Sequence, residues 1–180
     1  MKKEIPAIYA YKLLNHGPVV LLTSVDKKGN PNVMSLAWIT VVNSEPPLVS
    51  VAVGDQAYSQ KSISDTGEFV INIPSVNNLK NIIYCGTHSF RGADKFNHAG
   101  WSKIKSRKIA VPKIKECCAN IECRVVKKIR FSDVVLFVAK MLYAEVEKDL
   151  WGKCFDANKA GTLHHLGDGF FFKSGKKFKA

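Results

Sequence analysis

Short β-branched runs separated by turn residues set the pattern of the chain. Residues 19–25 form one such run, and Asp26-Lys-Lys-Gly-Asn-Pro31 after it is the kind of Gly/Asn/Pro cluster that turns a hairpin. A second strand is expected over 32–43, ended by Glu45-Pro-Pro47 because proline cannot donate to a sheet ladder. Residues 48–54 read as a third strand. A short helix over 59–66 is closed by Gly67, and a strand over 69–73 is broken by Pro74.

The middle of the chain changes character. Leu79, Ile82 and Ile83 fall at helical spacing within 77–84, and a polar, glycine-dotted segment follows over 85–100. A loop of that length inside a compact domain is usually functional, which directs attention to Ser89, Arg91, Asp94 and Lys95. Two long strands come next. Over 117–128, Cys117, Ala119, Ile121, Cys123 and Val125 alternate with Asn120, Glu122 and Arg124, and 134–147 continues the pattern after a turn at 131–133. Phe170-Phe-Phe172 adds a last strand before a lysine tail. Six or seven strands with few helices predict a mainly β, closed or nearly closed antiparallel barrel, since an open sheet would leave reactive edges.

Composition agrees with one domain over residues 1–180, large enough to bury roughly 70% of the surface its unfolded chain exposes. The 46% hydrophobic and 10% aromatic content excludes disorder as a description of the whole chain. Apolar runs are too short for a membrane span, and Pro6, Lys12 and His16 interrupt the stretch a secretory signal would need, so a cytoplasmic protein is expected. Five cysteines, an odd number without a C-x-x-C pair, argue against a disulfide framework or zinc ribbon and read mostly as buried thiols. The 27 Lys and Arg against 15 Asp and Glu give a net charge of +12, which attracts anions of any size. Only four of the 27 are arginine, the preferred fork for phosphate and base contacts, and this weighs against nucleic acid as the partner.

There is no G-x-S-x-G elbow, H-E-x-x-H pair, Walker loop or G-x-G-x-x-G in the chain, so hydrolysis and ATP chemistry are not expected. What remains is a set of small polar residues at strand ends and one Ser/Arg/Lys loop. Such a set can hold a phosphorylated cofactor that carries the reaction itself.

The segments Pro18-Val-Val-Leu-Leu-Thr-Ser24, Asn30-Pro-Asn-Val-Met-Ser-Leu-Ala-Trp38 and Pro47-Leu-Val-Ser-Val-Ala-Val53 resemble the flavin reductase-like family, most closely its flavoredoxin branch. Ser59-Gln-Lys-Ser-Ile63, Gly67-Glu-Phe-Val-Ile-Asn-Ile73, Cys85-Gly-Thr-His-Ser-Phe-Arg-Gly-Ala-Asp-Lys-Phe96 and His164-His-Leu-Gly167 follow in the same order, so the resemblance runs from about Gly17 to Phe172. It implies a Greek-key, FMN-binding split barrel, usually a homodimer, in which FMN exchanges electrons with NADH, NADPH or a redox protein. It also implies an FMN-dependent oxidoreductase with no catalytic side chain and no metal. Flavin, ferric iron or a partner protein would be the acceptor.

Residue by residue, the resemblance places Asn32, Val33, Met34, Ser35, Leu36, Ala37 and Trp38 along the isoalloxazine and ribityl chain, with Ser50, Val51, Ala52 and Val53 from the following strand. An amide and a hydroxyl suit flavin oxygens, whereas Trp38 could equally be core. Ser59 and Lys61 match positions near the phosphate, at a predicted helix start that favours anions, although Ser59 reads equally as a plain N-cap. Ser89, Arg91 and Lys95 match the loop over the phosphate, with an Arg91–Asp94 pair as the structural alternative; Phe90 stands where the family more often has glycine. His165 and a phenylalanine, Phe171 or Phe170, would lie near the ring. Two other readings remain: a flavin carrier without turnover, and a lysine-rich β-barrel that binds nucleic acid.

Overall fold

The computed structural model describes residues 2–90, 94–176 and 178. Strand β1 (Val20–Val25) pairs antiparallel with β2 (Pro31–Leu36), with Val20 opposite Leu36 and Val25 opposite Pro31. Asp26 makes the turn between them. Its Oδ1 accepts the backbone N–H groups of Lys28 (2.8 Å) and Asn30 (2.9 Å), and its Oδ2 accepts the Asn30 amide (2.9 Å) and the Tyr58 hydroxyl (3.1 Å). These donors, the Asn30 side chain first, hold the carboxyl down at about 2.

The strand expected over 32–43 is two strands. The ladder of β2 stops at Leu36, and β3 (Ile39–Asn43) pairs instead with β4 (Leu48–Gly54). Helix α1 (Tyr58–Thr66) ends on Gly67, whose φ of 71° is the left-handed conformation that glycine adopts without a Cβ penalty. After β5 (Glu68–Ile73) come α2 (Leu79–Thr87) and α3 (Lys95–Ala99), so both ends of the segment expected to be a loop are helical. Two-residue strands β6 (Lys103–Ile104) and β7 (Lys113–Ile114) precede the long hairpin of β8 (Ala119–Arg130) and β9 (Val134–Val146). A short helix α4 (Ala157–Ala160) and the hairpin of β10 (Leu163–Gly167) with β11 (Phe170–Lys173) complete the chain.

The main sheet has seven strands in the order β2-β1-β5-β8-β9-β4-β3. The β8–β9 hairpin lies between β5 and β4, which are consecutive in the chain, and this makes the topology a Greek key. The outermost strands, β2 and β3, are joined only by Ala37 and Trp38. Two residues span roughly 7–10 Å at full extension, so the sheet has to curl until its two edges meet. No ladder joins those edges, and the barrel is therefore split.

Inside the curl sits a core drawn from almost every strand: Val20 and Leu22 of β1, Val51 and Val53 of β4, Phe69 and Ile71 of β5, Cys123 of β8 and Phe137 of β9. Ile63 of α1 plugs it. The outer face of β1 is buried as well, because Leu21 joins Val33, Ile82, Phe96, Trp101 and Ile114 beneath α2 and α3. Each fully buried aliphatic or aromatic side chain here contributes roughly 1.5–3 kcal/mol. The cysteines fit the expectation of thiols packed as small apolar groups, for Cys85, Cys117, Cys118 and Cys123 are buried and only Cys154 is exposed. Burial pushes the thiols of Cys85 and Cys118 up to about 11 and those of Cys117 and Cys123 higher still.

The polar side of β8 is covered rather than solvated. Asn120 and Glu122 are buried under the segment that carries β6 and β7. Glu122, with no exposure, accepts the backbone N–H groups of Arg107 (2.8 Å) and Lys108 (2.7 Å) and lies 3.7 Å from the Lys113 ammonium, which also pairs with Glu145 at 2.6 Å. Asn72 does the same for the other strands. Its Nδ2 donates to the Leu21 carbonyl (2.9 Å), and its Oδ1 accepts the Ile114 N–H (2.9 Å) and the Asn120 amide (2.8 Å).

Replacing Glu122 by alanine strands two buried N–H groups and the Lys113 charge. We expect a loss of about 3–5 kcal/mol in urea unfolding followed by circular dichroism, whereas a loss under about 1 kcal/mol would show that the carboxylate is not structural.

Candidate functional site

Where β2 passes beneath α2, a groove opens on the outside of the barrel. Its first chamber, about 310 Å³, is lined by Asn32, Met34 and Ser35 of β2, by Ala57, Tyr58 and Ser59 at the start of α1, and by residues 85–90 with Lys95. A second chamber of about 330 Å³ continues from it along Leu36, Ala37, Ile82 and Ile83 to His165, Gly169 and Phe171 of the last hairpin. The two share Ser35, Gly86 and Thr87, which form a waist.

The waist depends on a missing side chain. A Cβ built on Gly86 would point at Ser35, 3.6 Å from its Cβ. Glycine inside a helix costs about 0.5–1 kcal/mol relative to alanine, and here it keeps the passage between the chambers open. The Ser35 hydroxyl donates to the Ile82 carbonyl.

The first chamber is built for an anion. Lys95 is 4% exposed, and its ammonium donates to the carbonyls of Val33 (2.8 Å) and Cys85 (2.9 Å). An ammonium has three N–H donors, so one remains. Among the described residues no carboxylate forms a salt bridge with it. Desolvation lowers its pKa, opposed by the Cys85 thiol. Burying an ion typically costs several kcal/mol, and an anionic ligand in the chamber would offset that cost.

Two further features point the same way. The N-cap of α1 is Ala57, which has no side chain to satisfy the helix start, and the positive end of the helix therefore opens on the chamber. Asn32, 2% exposed, donates to the Ser59 hydroxyl at 2.8 Å, while its Oδ1 is buried without a hydrogen-bond partner. The second chamber is more apolar, with the His165 and Phe171 rings 5.0 Å apart and tilted at 48°.

Of the residues expected at the site, the structure gathers Asn32, Met34, Ser35, Ser59, Ser89 and Lys95 around the first chamber and Leu36, Ala37, His165 and Phe171 around the second. Val33 packs beneath, contributing the carbonyl that holds Lys95. Ser59 is not the N-cap; it occupies the second helical position. The others lie elsewhere. Trp38 is 50% exposed, outside both chambers, with its indole donating to Asn15 (3.3 Å) and its ring edge-on to Tyr11, so it is not core either. Val51 and Val53 point into the barrel, Ser50 donates to the Thr40 carbonyl, and Ala52 lies on the same outward side of β4 as Ser50, with none of the four lining either chamber. Lys61 is a solvated partner of Asp65 (2.6 Å), one turn along α1. Arg91 lies outside the described residues, and Asp94, its suggested partner, caps α3 by accepting the Asn97 N–H at 3.1 Å.

Sequence reasoning missed Tyr58, Gly86, Thr87 and His88. The glycine inside an apolar helical repeat was the available signal.

Lys95→Met keeps the length of the stem and removes the charge. The variant should bind inorganic phosphate or a phosphorylated ligand at least about tenfold more weakly at pH 7. In the wild type, affinity should fall as alkaline pH neutralises the amine, at lower pH than for an exposed lysine. Calorimetric titrations check both, and equal affinities would remove Lys95 from the site.

The comparisons follow this geometry. The model of the flavin reductase like domain matches residues 14–164. An uncharacterized protein of Archaeoglobus fulgidus is 34% identical over 175 residues, covering 95% of this chain and 94% of its own. The crystal structure of flavoredoxin from Methanosarcina acetivorans superposes with a TM-score of 0.88 at 29% identity, covering 100% of this chain and 95% of its own. An FMN-binding domain of a flavin reductases-like enzyme from Shewanella baltica gives 0.80 at 26% identity, covering 98% and 95%. On the split barrel, the groove beside β2 and these matches, the chain belongs to the flavin reductase-like family.

Proposed function

We propose that the chain is an FMN-dependent oxidoreductase whose groove holds the phosphate in the chamber of Lys95 and the ring in the chamber of His165 and Phe171. The observation that carries this reading is the buried ammonium of Lys95, without a carboxylate partner among the described residues, at one end of a two-chambered groove. Supporting it, Asn32 Oδ1 lacks a donor that a ribityl hydroxyl can supply. The Gly86 waist leaves room for the linking chain, and the second chamber suits an aromatic face. The Shewanella baltica relative is itself described as FMN-binding.

FMN supplies the electron chemistry when bound. The protein's part is positional. Lys95, Ser59, Ser89 and the start of α1 hold the anion, Asn32 accepts from the polar part of the ligand, and Ile82, Ile83 and Phe171 exclude water from the ring. NADH, NADPH or a redox protein would deliver electrons, with flavin, ferric iron or a protein as acceptor. A second copy of the chain is the proposed partner. The segment Ala7–Leu14 buries none of its residues against its own chain, and Leu13 and Leu14 are 69% and 78% exposed.

Purified protein mixed with FMN and desalted should keep visible bands near ~370 and ~450 nm and release FMN on denaturation. A colourless protein would end the reading. Gly86→Val should abolish retention by closing the waist while the circular dichroism spectrum stays native; retention by that variant would show that the ligand does not pass between the chambers. Turnover of NADH or NADPH by the loaded protein separates an enzyme from a carrier.

A further inference from the structure

The first chamber ends, on the side away from the waist, in an aromatic bridge. The Phe90 ring lies 4.7 Å from the Tyr58 ring at an interplanar angle of 36°, and both side chains line the chamber. The two come from opposite walls. Tyr58 opens α1, whereas Phe90 belongs to the segment that follows α2. Tyr58 is fixed at its far end as well, because its hydroxyl donates to Asp26 Oδ2 at 3.1 Å and Asp26 is itself held by the β1–β2 turn.

We infer that this bridge makes the groove selective for a flavin that terminates in a monophosphate, so that Phe90 and Tyr58 are specificity-determining residues that reject the dinucleotide FAD. The inference rests on the flavin reading above and deepens it. With the ring in the second chamber and the anion beside Lys95, the adenylate half of FAD would extend past the phosphate toward the wall where Tyr58 and Phe90 meet. Admitting it means parting an aromatic pair and leaving both rings in water, a cost FMN does not incur. Discrimination of this kind comes from obstructing the wrong ligand and adds no contact to the right one.

The test measures dissociation constants of FMN and FAD by quenching of flavin fluorescence for the wild type, Phe90→Gly, Phe90→Ala and Phe90→Tyr, each checked by circular dichroism. Phe90 lies outside the core clusters, so these variants keep the fold. We expect the wild type to prefer FMN by at least about fiftyfold, Phe90→Gly and Phe90→Ala to narrow that preference about tenfold by gaining FAD affinity, and Phe90→Tyr to retain it. A wild type that takes both flavins equally would overturn the inference, as would glycine and alanine variants that bind FMN with the preference unchanged. Failure of the wild type to bind either flavin would instead overturn the cofactor reading beneath it.

Discussion

The two-residue link between β2 and β3 is the constraint on which the rest depends. Strands at opposite ends of a seven-stranded sheet cannot be joined by Ala37 and Trp38 unless the sheet closes on itself. Closure gives β1 and β2 an inside and an outside that are both covered: barrel core on one face, α2 and α3 on the other. The groove exists because that outer layer is incomplete. Between α1, α2 and the β10–β11 hairpin, β2 and the link after it are left partly bare over Met34, Ser35 and Ala37, and those positions floor the two chambers.

Charge is placed in this frame under strict conditions. Glu122 is buried because backbone N–H groups and Lys113 answer it from the covering segment. Lys95 is buried with two carbonyls and, among the described residues, no carboxylate. The first arrangement is closed and structural, and the second is open toward a cavity. The contrast explains why, of the three buried charged side chains among the described residues, Lys95 marks a site and the paired Lys113 and Glu122 do not.

Much of the barrel was legible in the sequence. The β1–β2 turn, β4, the end of α1 at Gly67 and the long β8–β9 hairpin follow from turn chemistry and alternation. The break at Ala37–Trp38 was not, since residues 32–43 keep a strand-like pattern through a corner at which pairing passes from β1, before the segment, to β4, after it. At the candidate site, Ser89 and Lys95 were singled out by the length of their polar segment and, with Asn32 and Ser59, by the family resemblance; all four line the first chamber. Lys61 was not brought to the groove because it lies on the solvated face of α1 with Asp65, and Ser50–Val53 were not because β4 pairs with β3 and β9, away from the strand that floors the groove. The departure from the family at Phe90 was visible as a bulky residue, but its contact with Tyr58 needed the fold.

The Asn72 amide has a consequence for how the molecule opens. One side chain holds β1 through Leu21, β7 through Ile114 and β8 through Asn120, and it lies on the strand between β1 and β8. None of these pieces can lift away without stranding a buried amide group. Fraying of the short β6–β7 ribbon, which its length alone would make facile, is thus tied through Ile114 to the opening of the central sheet.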